Sequence, residues 1–145
     1  MNKISAFADE IGDDLDLQIA TLKANGVDNI ELRGVWGKNI MLLSEEEVKE
    51  VKKRASDSGV GFSAVGSPLG KFPLDGDFSL QMEGVKKALH YAQILEAPYI
   101  RMFSFHISHG EDPAQYRSQI IDWLGQMIAE AEKTNIVLAH ENEKG

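Results

Sequence analysis

The sequence contains no cysteine among its 145 residues. This absence excludes disulfide bonds, thiolate zinc sites and catalytic thiols, and it is compatible with a reducing compartment. Long apolar runs are also missing. The apolar start of the chain is interrupted by Asp9 and Glu10, which leaves it too short for a signal peptide or a membrane span. We therefore expect a cytoplasmic protein that does not associate with membranes.

Positive charge is scarce as well. The chain has 15 lysines and arginines against 23 aspartates and glutamates, which gives a formal net charge of −8. A protein of this charge repels a phosphate backbone, so nucleic acid is not expected as a partner. The sequence also lacks a glycine-rich phosphate loop, a nucleotide-binding fingerprint and a nucleophile elbow, which excludes the commonest nucleotide-binding and serine-hydrolase sites.

The residues that are present are typical of one soluble globular domain. Apolar residues make up 43% of the chain and charged residues 26%, proportions that allow a buried core of ordinary size. No linker or low-complexity segment divides the sequence. We expect a single domain over residues 1–145.

Strand and helix signatures alternate along the chain. Helix starts are indicated by a capping box, Ser44 with Glu47, and by Asp112 before Pro113. Gly26 and Gly59 indicate helix ends. The predicted strands cover residues 3–8, 27–32, 60–65, 99–105 and 136–139, and a predicted helix follows each of the first four. Such a βα repeat requires parallel strands joined by helical crossovers.

Two α/β architectures fit this repeat. One is a five-stranded doubly wound sheet, and the other is the N-terminal portion of a TIM barrel, which needs about 250 residues in full. A doubly wound domain usually covers its last face with a fifth helix, whereas this sequence stops after the fifth predicted strand. We therefore favour a partial TIM barrel of about four βα units plus a fifth strand, truncated there or completed by a second chain.

The last predicted strand delivers His140, Glu141 and Glu143 at its carboxyl end. Ligands bind at that end of the strands in parallel α/β folds. Side chains alternate along a strand, so His140 and Glu141 should lie on opposite faces. If Glu141 points inward, we expect His140 to pack toward the helices and not to act as a ligand.

One motif lies at the end of each predicted strand. The motifs are FADEI at 7–11, IELR at 30–33, GSPLGK at 66–71, IRMFSF at 100–105 and HENEKG at 140–145. In this order they resemble the N-terminal half of the xylose isomerase-like TIM barrel superfamily, in particular its sugar phosphate isomerase/epimerase branch. The resemblance spans the entire chain.

The resemblance implies a metal-dependent sugar or sugar-phosphate isomerase or epimerase that abstracts a proton next to a carbonyl. A divalent ion, Mn, Mg, Co or Zn, would be bound by residues that follow strands five to eight. Glu141 is the counterpart of the first ligand and is the predicted catalytic and metal-binding residue. The other three would lie beyond Gly145, so we expect a bound metal only in the complete barrel and an inactive isolated chain.

Four further residues are candidate contacts for a small sugar, sugar phosphate or polyol. Arg33 and Lys71 could hold an anionic group at strand-end loops, and each could equally be a surface cation. Ser67 could donate from a loop bounded by glycines, or simply belong to that loop. Glu10 could line the mouth of the site or pack structurally. Glu31 shares the alternation of Arg33 and is expected to pair with it.

Two histidines, His106 and His109, follow the fourth predicted strand. His106 and His109 resemble a metal pair by their spacing, but the third strand ends in Gly66 and Ser67 without the histidine that related DNA-cutting barrels use there. We therefore assign them no metal.

The alternative function is a non-catalytic half-barrel that binds ligands or assembles. Open edges on strands one and five would then favour a homo-oligomer.

Overall fold

Parallel strands in consecutive order form the framework of the structure, a computed structural model that describes residues 4–142. The main sheet has the order β1-β4-β5-β6, and every neighbouring pair in it is parallel. Its strands are Asn29–Leu32 (β1), Gly61–Gly66 (β4), Tyr99–Met102 (β5) and Val137–His140 (β6). The helices are Leu15–Ala24 (α1), Glu45–Asp57 (α2), Phe78–Leu95 (α3) and Arg117–Ala131 (α4).

Polar side chains start the helices where the sequence predicts them. The Ser44 hydroxyl accepts from the Glu47 amide at the start of α2, and the Glu47 carboxylate accepts from the Ser44 amide, which completes the predicted capping box. Asp112 accepts from the Ala114 amide and begins the short 3-10 helix Pro113–Tyr116 that leads into α4. Both caps are formed by residues within three positions of each other, so the helix starts are set by local signals.

All four helices lie on one side of the main sheet. Consecutive helices pack against each other, α1 on α2, α2 on α3 and α3 on α4. Strands that follow one another without reversal, joined by right-handed crossovers, place every helix on the same face. A doubly wound sheet reverses its strand order and has helices on both faces. The partial barrel prediction is therefore confirmed, and the doubly wound alternative is wrong.

The hydrophobic core lies between the sheet and these helices. Ile30, Leu32, Val65 and Ile100 on the strands are fully buried. They pack in one cluster with buried helix residues, among them Val48, Val51, Val85, Leu95 and Met127. The opposite face of the sheet is open in the described part of the chain, where Tyr99 is 48% exposed and the neighbouring Val137 is 55% exposed. We call this open surface the concave face.

The predicted first strand, residues 3–8, is reduced to a single parallel bridge between Ala6 and Ile30. The Glu31 amide donates to the Ala6 carbonyl oxygen at 3.0 Å, but Ala8–Glu10 then turns into a 3-10 helix. That turn leaves too few extended residues for a strand ladder, and residue 3 lies outside the described range. The predicted fourth strand, 99–105, ends earlier, at Met102, because the Phe103 amide donates to the Leu69 carbonyl oxygen of a loop.

A short hairpin that the sequence analysis treated as a loop follows β1. It consists of Gly34–Val35 (β2) and Lys38–Asn39 (β3), which pair antiparallel. Trp36 and Gly37 both have positive φ, 54° and 69°, the conformation of a tight hairpin turn. Among residues 4–142, no helix combines the length and the apolar character needed to cross a membrane.

Candidate functional site

Arg101 lies at the centre of the concave face and connects three strands. It belongs to β5, and its Nε donates to Oε1 of Glu31 on β1 at 2.6 Å. Its Nη1 donates to Oε2 of Glu141, directly after β6, at 2.9 Å. The side chains of Arg101 and Glu31 are only 14% and 22% exposed, so solvent screens this pair weakly. Burial of the pair makes each partner costly to remove alone.

Two phenylalanine rings flank the Arg101 guanidinium. Its central carbon lies 5.3 Å from the ring centroid of Phe7 and 4.8 Å from that of Phe103. The Arg33 guanidinium lies 4.8 Å from Phe7, and Nζ of Lys71 lies 4.2 Å from Phe103. All four distances between a cationic group and a ring centroid are in the range of cation–π attraction. Three cations are thus arranged around two rings at the carboxyl ends of the strands.

Arg33 forms a second ion-pair network at the rim of the concave face. Its Nε donates to Oδ2 of Asp9 at 2.8 Å, and its Nη2 donates to Oε1 of Glu10 at 3.3 Å. The hydrogen bond to Asp9 raises the pKa of Arg33 above its usual value, while burial opposes that change. The expected pair between Glu31 and Arg33 is wrong, because Glu31 binds Arg101 instead. The candidates Arg33 and Glu10 are adjacent to one another.

Ser67 is fully buried in the loop that follows β4. Its hydroxyl donates to the Arg101 carbonyl oxygen at 2.6 Å and accepts from the Leu69 amide at 3.3 Å. These bonds tie the loop to β5 and leave no exposed part of the side chain for a substrate. Lys71, in the same loop, lies over Phe103 as described above. The structure therefore brings Lys71 to the site and assigns Ser67 a supporting position.

Glu141 extends the β6 pairing beyond the strand. Its amide donates to the Met102 carbonyl oxygen at 2.8 Å, and its side chain is 43% exposed. Since Arg101 holds Oε2, Oε1 is left without a hydrogen-bond partner within residues 4–142. His140 is exposed, and its Nε2 lies 2.6 Å from the Ser104 hydroxyl. His140 pairs with Met102, whose side chain lies in the core, so it is on the helix side of the sheet and opposite Glu141, as expected. It is exposed there rather than packed, because β6 is the outermost strand of the described sheet.

A cavity of about 370 Å³ opens on the concave face beside these groups. We call it the cup. It combines the Arg101 guanidinium and two carboxylates with a hydroxyl and a phenol, groups that suit a ligand with many oxygen atoms. Its lining consists of Glu31, Ser63, Ala64, Tyr99, Arg101, Ala139, His140 and Glu141.

The described residues do not form a metal site by themselves. Within residues 4–142, no three histidine, aspartate or glutamate side chains are grouped so that they could hold an ion. Glu141 offers one carboxylate, and one of its oxygens already accepts from Arg101. His106 lines a different cavity, of about 270 Å³, together with Glu111 and Tyr116. Glu143 lies outside the described residues.

The sequence analysis did not select Arg101, the residue around which the site is built. A signal was available in the motif IRMFSF, because an arginine stood inside a predicted strand of a parallel sheet. A charge at such a position is rarely tolerated without partners. Its two partners lie 70 and 40 residues away in the chain, so their identity depends on strand order and register.

Comparison with known proteins identifies the fold family. The sequence profile of the Xylose isomerase-like TIM barrel family matches residues 19–145. No curated protein matches the chain.

Several solved structures share the fold. The structure of a D-tagatose 3-epimerase-like protein has a TM-score of 0.73 and 18% identity, with 99% of this chain and 54% of that chain covered. The IOLI protein with a bound zinc atom has a TM-score of 0.72 and 13% identity, with 94% and 50% covered. D-psicose 3-epimerase in the presence of D-fructose has a TM-score of 0.67 and 19% identity, with 94% and 51% covered. The chain spans about half the length of these proteins, and such low identities show the fold alone.

Proposed function

The chain belongs to the Xylose isomerase-like TIM barrel family, and from this premise we propose that it contributes to the isomerisation or epimerisation of a small sugar. The reaction would proceed by proton abstraction next to a carbonyl, with a ketose, a sugar phosphate or a related polyol bound in the cup. The observation that carries the proposal is the constellation of Glu31, Arg101 and Glu141 at the carboxyl ends of three parallel strands, where barrel enzymes carry their active sites.

Glu141 is the proposed proton-transfer residue. Arg101 fixes one carboxylate oxygen, Oε2, so that the other, Oε1, stays available on the side chain. A carboxylate held in one orientation loses little conformational freedom when it meets a C–H bond of the substrate. Lys71 and Arg33, with Glu10 beside Arg33, are proposed to contact the substrate at the rim.

Metal dependence is proposed for the complete protein only. One structural neighbour is described with a bound zinc atom, and Glu141 is the residue proposed to contribute a ligand. Because the described residues supply too few ligands, the proposed metal site needs additional side chains.

Solvent deuterium exchange tests the proposed reaction. Full-length protein in heavy water with Mn²⁺, Mg²⁺ or Co²⁺ should introduce deuterium next to the carbonyl of D-fructose or D-tagatose. Proton NMR measures this exchange as the loss of the corresponding proton signal. Glu141→Gln should slow the exchange by about 100-fold or more, because the amide cannot accept the proton. Glu83→Gln, an exposed position on α3, serves as the matched control. The proposal would be contradicted if neither ketose exchanged deuterium, or if Glu141→Gln exchanged it as fast as the unmodified protein does.

A second candidate function is assembly, and the exposed apolar residues favour it. Tyr99 and Val137 lie side by side on the concave face, and β6 is a sheet edge in the described part of the chain. Unpaired edges and exposed apolar patches favour association. We propose that two copies can cover these surfaces in a homo-oligomer. Sedimentation should show a dimer that Val137→Lys weakens, and a monomer at high concentration would contradict this candidate.

A further inference from the structure

Arg101 has more hydrogen-bond donors than its two carboxylate partners use. A guanidinium carries five N–H bonds, one on Nε and two on each terminal nitrogen. Nε donates to Glu31 and Nη1 donates to Glu141. Within residues 4–142, Nη2 has no hydrogen-bond partner. The buried polar side-chain atoms without a partner are Asp9 Oδ1 and Gln18 Oε1 in this range. Nη2 is not one of these buried atoms, so within the described residues it is unpaired and accessible to solvent.

The solvent that Nη2 contacts lies on the concave face. Arg101 lines the cup, and Nη2 lies next to the α-carbon of Gly66 on β4. A Cβ atom placed on Gly66 would be 3.2 Å from Nη2 and 3.0 Å from Cβ of Arg33. The missing side chain at position 66 thus keeps the approach to Nη2 open.

The direction of this donor is fixed before any ligand arrives. Two charged hydrogen bonds hold the guanidinium plane, and the rings of Phe7 and Phe103 flank it. A preorganised donor loses little conformational entropy on binding. The positive charge of Arg101 is already balanced by Glu31 and Glu141, which together carry one negative charge more. An uncharged acceptor oxygen suits this setting better than a phosphate.

We propose that Arg101 binds the substrate directly, with Nη2 donating a hydrogen bond to an uncharged hydroxyl or carbonyl oxygen of the sugar. This inference rests on the proposed function, since it assigns a new contact in the same site. Arg101 would thus hold the carboxylate of Glu141 on one side and a substrate oxygen on the other. It would also favour free ketoses and polyols over their phosphate esters.

Side-chain NMR of protein labelled with ¹⁵N-arginine tests this contact, with D-fructose, glycerol and inorganic phosphate as probes. Saturable D-fructose binding should shift the Nη2 resonance of Arg101 and leave its Nε–H resonance in place, because the bond to Glu31 persists. Glycerol should shift the same Nη2 resonance at higher concentration. Phosphate should shift it less than D-fructose does.

Two variants separate binding from structure. Gly66→Ala should weaken D-fructose binding by about 3- to 10-fold, the loss of about one hydrogen bond, while the Arg101 Nε–H resonance stays unchanged. Arg101→Lys should weaken it by a similar or larger factor, since the ammonium cannot serve both carboxylates and the ligand in one plane. The control is Arg54→Lys on α2, an arginine with exposed partners Asp16 and Glu50, which should bind D-fructose as the unmodified protein does.

The outcomes distinguish this inference from the proposed function. A glycerol shift at Nη2 without any ketose binding would uphold the open donor and contradict the sugar-directed function. D-fructose binding that leaves Nη2 unshifted, or that Gly66→Ala and Arg101→Lys leave unchanged, would overturn the inference and leave the proposed function standing. A larger shift with phosphate than with D-fructose would overturn the preference for an uncharged oxygen.

Discussion

Replacing Gly70 with alanine should lower the free energy of unfolding by about 4 kcal/mol. Gly70 lies in the loop after β4 with φ +84°, and a Cβ atom there would lie 1.9 Å from the Phe103 carbonyl oxygen and 2.6 Å from its carbon. Both obstacles are backbone atoms, so no side-chain rotation relieves them. The loop would have to leave β5, which would break the bond from the Phe103 amide to Leu69.

Gly110 provides a matched control for this effect. It also has a left-handed backbone, with φ +90°, but a Cβ atom there would meet nothing within 4 Å. Gly110→Ala should therefore cost only the conformational strain, about 1 kcal/mol. Urea denaturation followed by circular dichroism measures both variants. Equal losses at the two positions would show that the loop does not press against Phe103, and the placement of Ser67 and Lys71 would then be wrong as well.

Replacing Arg101 with methionine should lower the free energy of unfolding by about 3 kcal/mol. Methionine fills part of the space between the phenylalanine rings, but it leaves the half-buried carboxylates of Glu31 and Glu141 without their cation. This value is at the lower end for a broken buried pair because the Glu141 side chain is 43% exposed. Arg54→Met removes only the pairs with the exposed carboxylates of Asp16 on α1 and Glu50 on α2, and should cost less than about 1 kcal/mol.

A rescue experiment separates charge from packing at Arg101. Adding Glu31→Gln and Glu141→Gln to Arg101→Met removes the two uncompensated charges and should recover more than half of the lost stability. If Arg101→Met is as stable as the unmodified protein, the two carboxylates are not held as the structure shows. If the triple variant recovers nothing, the loss comes from packing between the rings rather than from charge.

The features that the sequence predicted correctly depend on local chemistry. The Ser44 capping box and the Asp112 cap are set by residues within three positions of each other, and both occur as expected. The βα repeat follows from periodicity in the same way. The partial barrel, favoured over the doubly wound sheet, is confirmed by a strand order in which consecutive parallel strands follow one another without reversal.

The features that the sequence missed depend on which strands become neighbours. Glu31 was expected to bind Arg33 two positions away, but β1 and β5 bring it to Arg101 across the sheet, 70 residues further on. Ser67 could equally have been a substrate donor or a residue of its loop, and the hydrogen bond to the Arg101 carbonyl that separates the two depends on β5 lying beside that loop. The hairpin turn at Trp36 was missed because it places a bulky residue at positive φ, a conformation that local propensity disfavours.

We propose that the concave face binds a sugar at Glu31, Arg101 and Glu141. Backbone amide chemical-shift mapping of the full-length protein with D-fructose tests this claim. We expect the largest saturable shifts at residues 31–33, 66–71, 101–104 and 139–142, and no shift in the hairpin at 34–39 or around His106. Shifts confined to the hairpin or to the His106 cavity, or no saturable shift at the four strand ends, would contradict the claim.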